Sequence, residues 1–231
     1  MIQAFVLIVS GPGGSLLRGT TSTRERLIDT AERLYARHGL EATSLRSITA
    51  EAGANLAAIH YHFGSKRALT QEVFSRRLAP INRERLAMLD EAEAEGGAVS
   101  LESILEAFLA PALRRSVEPD YADFIRLMGR MYSEPSESLQ ELIGRQFEEI
   151  IRRFSSALAR TLTHIPASEV HWRFHFCVGS MVHTISDPAR IQRVSGGLCD
   201  PSDVEGTTAR LISFLAAGLN APATSVDGEA S

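Results

Sequence analysis

Apolar positions recur along most of this chain at the spacing of α-helices. Leu27, Ile28, Ala31, Leu34 and Tyr35 follow one another at helical intervals, behind a Ser22–Glu25 pair spaced as a capping box, and Gly39 ends the run. A second helix is expected from Ser44 to Ala52, with Thr43 as its N-cap and Leu45, Ile48 and Ala52 facing inward. Gly53-Ala54-Asn55 then turns the chain into a short third helix, Leu56 to His62, closed by Gly64-Ser65. Two short helices joined by a three-residue turn containing glycine form the helix-turn-helix pattern. A long fourth helix is expected from Ser65 to about Glu95. Pro80 lies inside it, has no N–H for the Arg76 carbonyl and crowds that group, so a kink is expected there.

The remainder reads the same way. Ser100 caps a stretch from Leu101 to about Val117 that contains Pro111; Asp120 to Met131 is the next helix, and 133–136 a turn. Leu139, Ile143, Phe147, Ile150, Ile151, Phe154 and Leu158 mark one face of a long helix. Pro166 starts another that reaches about Ile185, 186–202 reads as a long loop, and a Ser202–Glu205 capping box opens the last helix, Asp203 to Leu219. No strand pattern and no internal repeat survive, so the expected class is all-α. The expected organisation is a helix-turn-helix domain over 21–66, joined by the long kinked helix to a larger helical domain over 67–220. Residues 1–20 are expected to be a disordered extension or a mis-assigned start, and 221–231 a disordered tail. The opening MIQAFVLIVSGPGGSLL has neither the basic leader of a signal peptide nor the spacing of a dinucleotide loop.

Composition narrows the class further. With 231 residues, 44% of them hydrophobic, the chain can bury a core without disulfide or metal support, and 6% aromatic residues with nine prolines favour helices over a β-sandwich. Cys177 and Cys199 make no disulfide framework and suit a reducing, cytoplasmic setting. No apolar stretch reaches the ~18 residues of a membrane span. Charge is uneven: 18–80 carries ten Lys and Arg against six Asp and Glu, whereas 81–231 carries 14 against 22. A polyanionic partner is therefore expected at the front.

The third helix carries the distinctive chemistry. Leu56, Ile59 and Phe63 share one side and are expected to face the core, leaving Ala57, Ala58, His60, Tyr61 and His62 outward. Lys66 and Arg67 stand at the N-terminus of the fourth helix, where backbone N–H groups favour an anion, and Arg46 projects from the second. Small apolar positions suit thymine methyls, and cations and hydroxyls suit phosphates. The bland alternative is a solvated basic face, which an exposed His-Tyr-His run does not resemble.

Residues 24–69 resemble the DNA-binding domain of the TetR family of transcriptional regulators. The matching elements are Ala31, Leu34, Tyr35 and Gly39, then Thr43 with Ile48, the Ala52–Gly53 turn, and Tyr61-His62-Phe63 followed by Lys66. The resemblance implies that Thr43 touches phosphate and Arg46 reads a base edge. It implies further that Leu56, Ala57, Ala58 and Tyr61 face the major groove, with Asn55 beside them. His60, His62 and Lys66 would then hold phosphates. The family usually carries tyrosine at position 60; a histidine there changes charge near pH 6.5, so DNA affinity is expected to strengthen below that pH.

The same resemblance implies a non-enzymatic, cofactor-free homodimer, joined through its last two helices and bound to a palindromic operator. It also implies release by a small, largely apolar effector. NLAAIHYHFGSKRAL followed by RRLAPIN is similar to a subgroup with fatty-acid-responsive members, which makes a fatty acid or acyl derivative the expected effector. Candidate effector contacts are Phe108, Phe124, Met128, Met131, Phe147, Trp172 and Phe176, with Arg130 and His175 as polar handles; ordinary core packing is the alternative for each. His171 and His175, spaced i, i+4 with His183 beyond, could share a metal, but no carboxylate stands at matching spacing. The competing functions are thus a constitutive DNA-binding protein without a pocket, and a helical metal-binding protein or enzyme.

Overall fold

The computed structural model describes residues 22–94, 96, 98–133 and 137–223, the side chains of 132–133 and 137–143 excepted. The expected N-terminal extension and most of the expected tail lie outside these residues, as does the turn over 134–136. Among the described residues the chain forms ten α-helices and no strand: α1 Thr23–His38, α2 Leu45–Glu51, α3 Leu56–His62, α4 Lys66–Ala94, α5 Leu101–Ser116, α6 Ala122–Ser133, α7 Glu137–Thr161, α8 Ala167–Ser186, α9 Pro188–Val194 and α10 Val204–Leu219. No described helix is long and apolar enough to cross a membrane.

Local chemistry accounts for most of the boundaries. The Ser22 hydroxyl accepts from Glu25 N while the Glu25 carboxylate accepts from Ser22 N, closing the expected capping box, and Gly39 ends α1 at φ 84°. The same contacts hold the Glu25 carboxyl below its ordinary range. Three boundaries differ from the reading of the sequence. Ser44, not Thr43, caps α2, through a box with Ser47. Asp203, not Ser202, caps α10, because the Ser202 hydroxyl is taken by Asp200. The loop after α8 contains a further helix, α9, which starts on Pro188 where a missing N–H is harmless.

The front three helices close around Leu27, Ile28, Ala31, Tyr35, Ile48 and Ile59, all fully buried, and the first turns of α4 complete this core with Leu69 and Val73. Tyr35 places its hydroxyl 3.0 Å from that of Thr70, and burial raises its pKa. From there α4 continues through Pro80 as one helix into the larger body, where α5 and α7 pack against it, α8 packs against α5, α6 and α7, and α10 lies against α5 and α8. Phe108 meets Phe154 and Phe174 at ring separations of 5.3 and 5.0 Å. Arg173 on α8 ties down the end of α10, donating to the carbonyls of Leu219, Ala221 and Pro222 at 2.6–2.8 Å.

Candidate nucleic-acid interface and effector cavity

The exposed face of the front domain is built by α2, the turn and α3. Asn55 caps α3 by accepting from Ala58 N at 2.9 Å, which fixes where the short helix begins. Ile59 is fully buried and Phe63 half-buried, so the inward side is as expected at those two positions. Leu56 is not: it is 38% exposed, because a two-turn helix meets its neighbours through its middle and its first residue stands clear. That places Leu56 on the outer surface with Ala57, His60 and Tyr61, the last 85% exposed. His60 Nδ1 lies 3.1 Å from the Gly64 carbonyl, so that nitrogen donates and Nε2 is left outward. The half-buried His62 packs edge-on to Tyr61.

The geometry removes one expected phosphate contact and gives a second an internal partner as well. Thr43 is only 2% exposed and its hydroxyl donates to the Gly39 carbonyl at 2.7 Å, so it closes the α1–α2 turn and cannot present itself to a backbone phosphate. Ser44 and Ser47, both exposed, stand in its place. Lys66 donates to the Leu40 carbonyl at 2.7 Å, tying the start of α4 to that same turn.

Four arginines of this region are paired internally. Arg24 pairs with Glu72 at 2.6 Å and Arg33 with Glu51 at 2.9 Å. Glu32, 3% exposed, accepts from Arg76 at 2.7 Å and from Arg77 at 2.9 Å. Desolvation opposes the charge on Arg76, yet its bonds to Glu32 and Asp29 prevail and raise its pKa. Arg46 is exposed and makes no ion pair among the described residues, which leaves it the cation of α2 that can reach a groove.

In the body, helices α4 to α8 enclose a cavity of about 390 Å³ with almost wholly apolar walls. Phe108, Phe124, Met128, Met131 and Phe147 all line it, as expected. Trp172, His175 and Phe176 do not: they lie on the outer side of α8, with Trp172 58% and Phe176 59% exposed. Arg130 also points elsewhere, donating to the Arg37 carbonyl at 3.0 Å and abutting Gly39, so it joins α6 to α1 rather than serving the cavity. Residues the sequence reading passed over include Ile81, Arg85, Tyr121, Ile150 and Met181. Arg85 carried a usable signal, because it interrupts the apolar stripe Leu78, Ile81, Leu89 on α4.

His171 and His175 are both exposed, and among the described residues no three His, Cys, Asp or Glu side chains are grouped to hold a metal. Cys177 is buried and its thiol is pushed up to about 12 by desolvation.

Residues 27–73 match the family described as bacterial regulatory proteins, tetR family, and residues 106–218 match the tetracyclin repressor-like C-terminal domain. The chain belongs to the TetR family of transcriptional regulators. It is 39% identical over 74 residues to HdnoR, a nicotine-responsive transcriptional repressor of helix-turn-helix type from Paenarthrobacter nicotinovorans; the match spans 32% of this chain and 38% of that repressor. Among solved structures it is similar to the fatty acid degradation regulator FadR from Bacillus halodurans, at TM-score 0.62 and 12% identity over 85% of this chain and 96% of that one. A TetR-family regulator from Streptomyces coelicolor gives TM-score 0.57 and 17% identity over 86% and 96% of the two chains. At such identities the likeness shows the fold. The chain is thus a DNA-binding regulator with a helix-turn-helix front domain and a larger helical body.

Proposed function

We propose that this regulator binds a palindromic operator as a homodimer and is released from it when a small, largely apolar effector enters the body. The observation that carries this reading is the cavity itself, because its walls are also the supports of the DNA-binding domain. Helix α6 turns Phe124, Ile125 and Met128 to the cavity while Arg130 holds α1. Tyr121 lines the cavity and lies under the Arg77 guanidinium at 4.9 Å, and Arg77 in turn grips Glu32 of α1. A ligand that moves Tyr121 or α6 therefore moves the front domain, and Pro80, set between the cavity residues Leu78 and Ile81, is where α4 can bend. A constitutive DNA-binding protein has no use for such a cavity.

The operator is read by Arg46, Leu56, Ala57, Ala58 and Tyr61, while Ser44, His60, His62 and Lys66 steady the phosphates. Asn55 acts chiefly by holding α3 in place. The dimer forms through the outer faces of α8 and α10, where Trp172, Phe176 and Phe214 (71%) stand exposed. The recognition helices then sit about one DNA turn, ~34 Å, apart. The test is to select bound sequences from random and genomic DNA at low salt and near 0.2 M. A palindrome retained at the higher salt is expected; retention only at low salt without a motif would leave phosphate contacts but no reading.

A further inference from the structure

A second apolar surface lies beyond the cavity. No residue of the short helix α9 is buried, yet α9 and the loop after it present Ile191, Val194 and Leu198, the last 91% exposed. A helix of seven residues is not stable by itself, and large apolar side chains grouped in the open mark a contact surface. These three form one side of an open groove of about 580 Å³, whose other side is Val117 of α5 with Leu211 and Phe214 of α10. Arg210 on its rim is paired with Asp203 at 3.3 Å, so the groove suits an apolar occupant better than an acidic one.

We propose that in a two-fold dimer each protomer inserts Trp172 and Phe176 of its α8 into this groove of the other. This rests on the dimer reading above and deepens it. The groove is continuous with the dimer face, because the exposed Phe214 belongs to both. That face is small by itself: helices of 20 and 16 residues are about 30 and 24 Å long, and at a width of ~10 Å they offer roughly 500 Å² per protomer. A stable interface buries about 800 Å² on each partner. Projection and groove also lie at opposite ends of one helix. Trp172 and Phe176 stack at 6.0 Å near the start of α8, beside the end of α10 that Arg173 holds. The groove lies at the far end of α8, with His183 and Thr184 in its wall. A two-fold interface meets each patch with the same patch reversed, so antiparallel α8 helices bring each aromatic pair to the other copy's groove and satisfy both at once.

The experiment is sedimentation equilibrium of the full chain, wild type and variants, with circular dichroism to confirm folding. Leu198→Ala and Trp172→Ala change exposed side chains and should each weaken dimerisation by about fivefold or more. Together they should cost within about twofold of the larger single loss, because both remove the same contact. The native thiols supply a second reading: Cys199 is exposed and lines the groove, whereas Cys177 is buried. Alkylation of Cys199 by iodoacetamide should slow about tenfold or more as the wild type is concentrated from monomer to dimer. Losses that multiply, a dimer indifferent to Leu198→Ala, or a Cys199 that reacts as fast in the dimer would mean that the groove stays open for some other occupant. Any of these overturns the assignment and leaves dimerisation through α8 and α10 standing. A wild type that stays monomeric removes the dimer reading and the proposal with it.

Discussion

The exposed face of the front domain and the cavity of the body use arginine in different ways. In the front domain, Arg24, Arg33, Arg76 and Arg77 are bound by Glu72, Glu51, Asp29 and Glu32, and Arg46 is left exposed on α2. In the body, the buried Arg85 lies over the Phe108 ring at the apolar cavity wall and donates to the Phe108 carbonyl and to Asn82. Net charge counted along the sequence therefore says little about where a polyanion binds. Position decides: four of the front domain's arginines serve as structural ties, and a cation in low dielectric carries more influence than several in water.

The largest effect that sharpens this contrast is expected at Glu32. Replacing it with alanine leaves Arg76 and Arg77 facing each other without their shared acid, and breaking such a buried arrangement should destabilise the protein by about 3 kcal/mol. Urea unfolding measures it; a loss below about 1 kcal/mol would reduce the cluster to a surface ornament. Arg46→Ala comes next. It should weaken operator binding by about 2 kcal/mol and relax one base pair per half-site, without altering non-specific binding in proportion. Equal weakening on every sequence would demote Arg46 to a phosphate contact.

Smaller still is the effect of His60, whose Nδ1 is held by the Gly64 carbonyl so that Nε2 is left outward. His60→Ala should weaken operator binding by up to about fivefold, the scale of one surface contact, and an unchanged affinity would remove His60 from the phosphate set. The smallest effect concerns Glu25, whose carboxyl is held below its ordinary range by the Ser22 backbone and hydroxyl. A lowered folded-state value means the capping box stabilises above the unfolded carboxylate pKa, and that contribution is lost as pH falls through the folded one. Glu25→Gln should flatten the acid limb of thermal stability slightly; an unaltered limb would show that the box holds without its charge.

Much of this was legible in the sequence because capping chemistry and apolar period act locally. Ser22–Glu25, Gly39 and the run from Leu56 to His62 fix their helices with little help from the rest of the fold. What escaped depended on neighbours. Thr43 and Ser44 are adjacent hydroxyls, and only the packing of Thr43 against the Gly39 carbonyl decides which one caps. On α8 two stripes are apolar, so spacing alone could not tell that Phe174, Val178 and Met181 face the cavity while Trp172 and Phe176 face outward. Arg130 looked like a polar handle for the same reason, since its helix is known to turn it towards α1 only once α1 and α6 are packed together.

The central claim is that cavity and reading face are one coupled system, through Tyr121, Arg77 and Glu32 and through α6. It is tested most directly by measuring operator affinity, by fluorescence anisotropy, with and without decanoate at a level that calorimetry shows to be saturating. The wild type should lose at least tenfold in affinity, and by reciprocity the operator should weaken decanoate by the same factor. Tyr121→Leu should bind the acid yet lose much of that response. A saturated wild type that holds its operator as tightly as before would contradict the account.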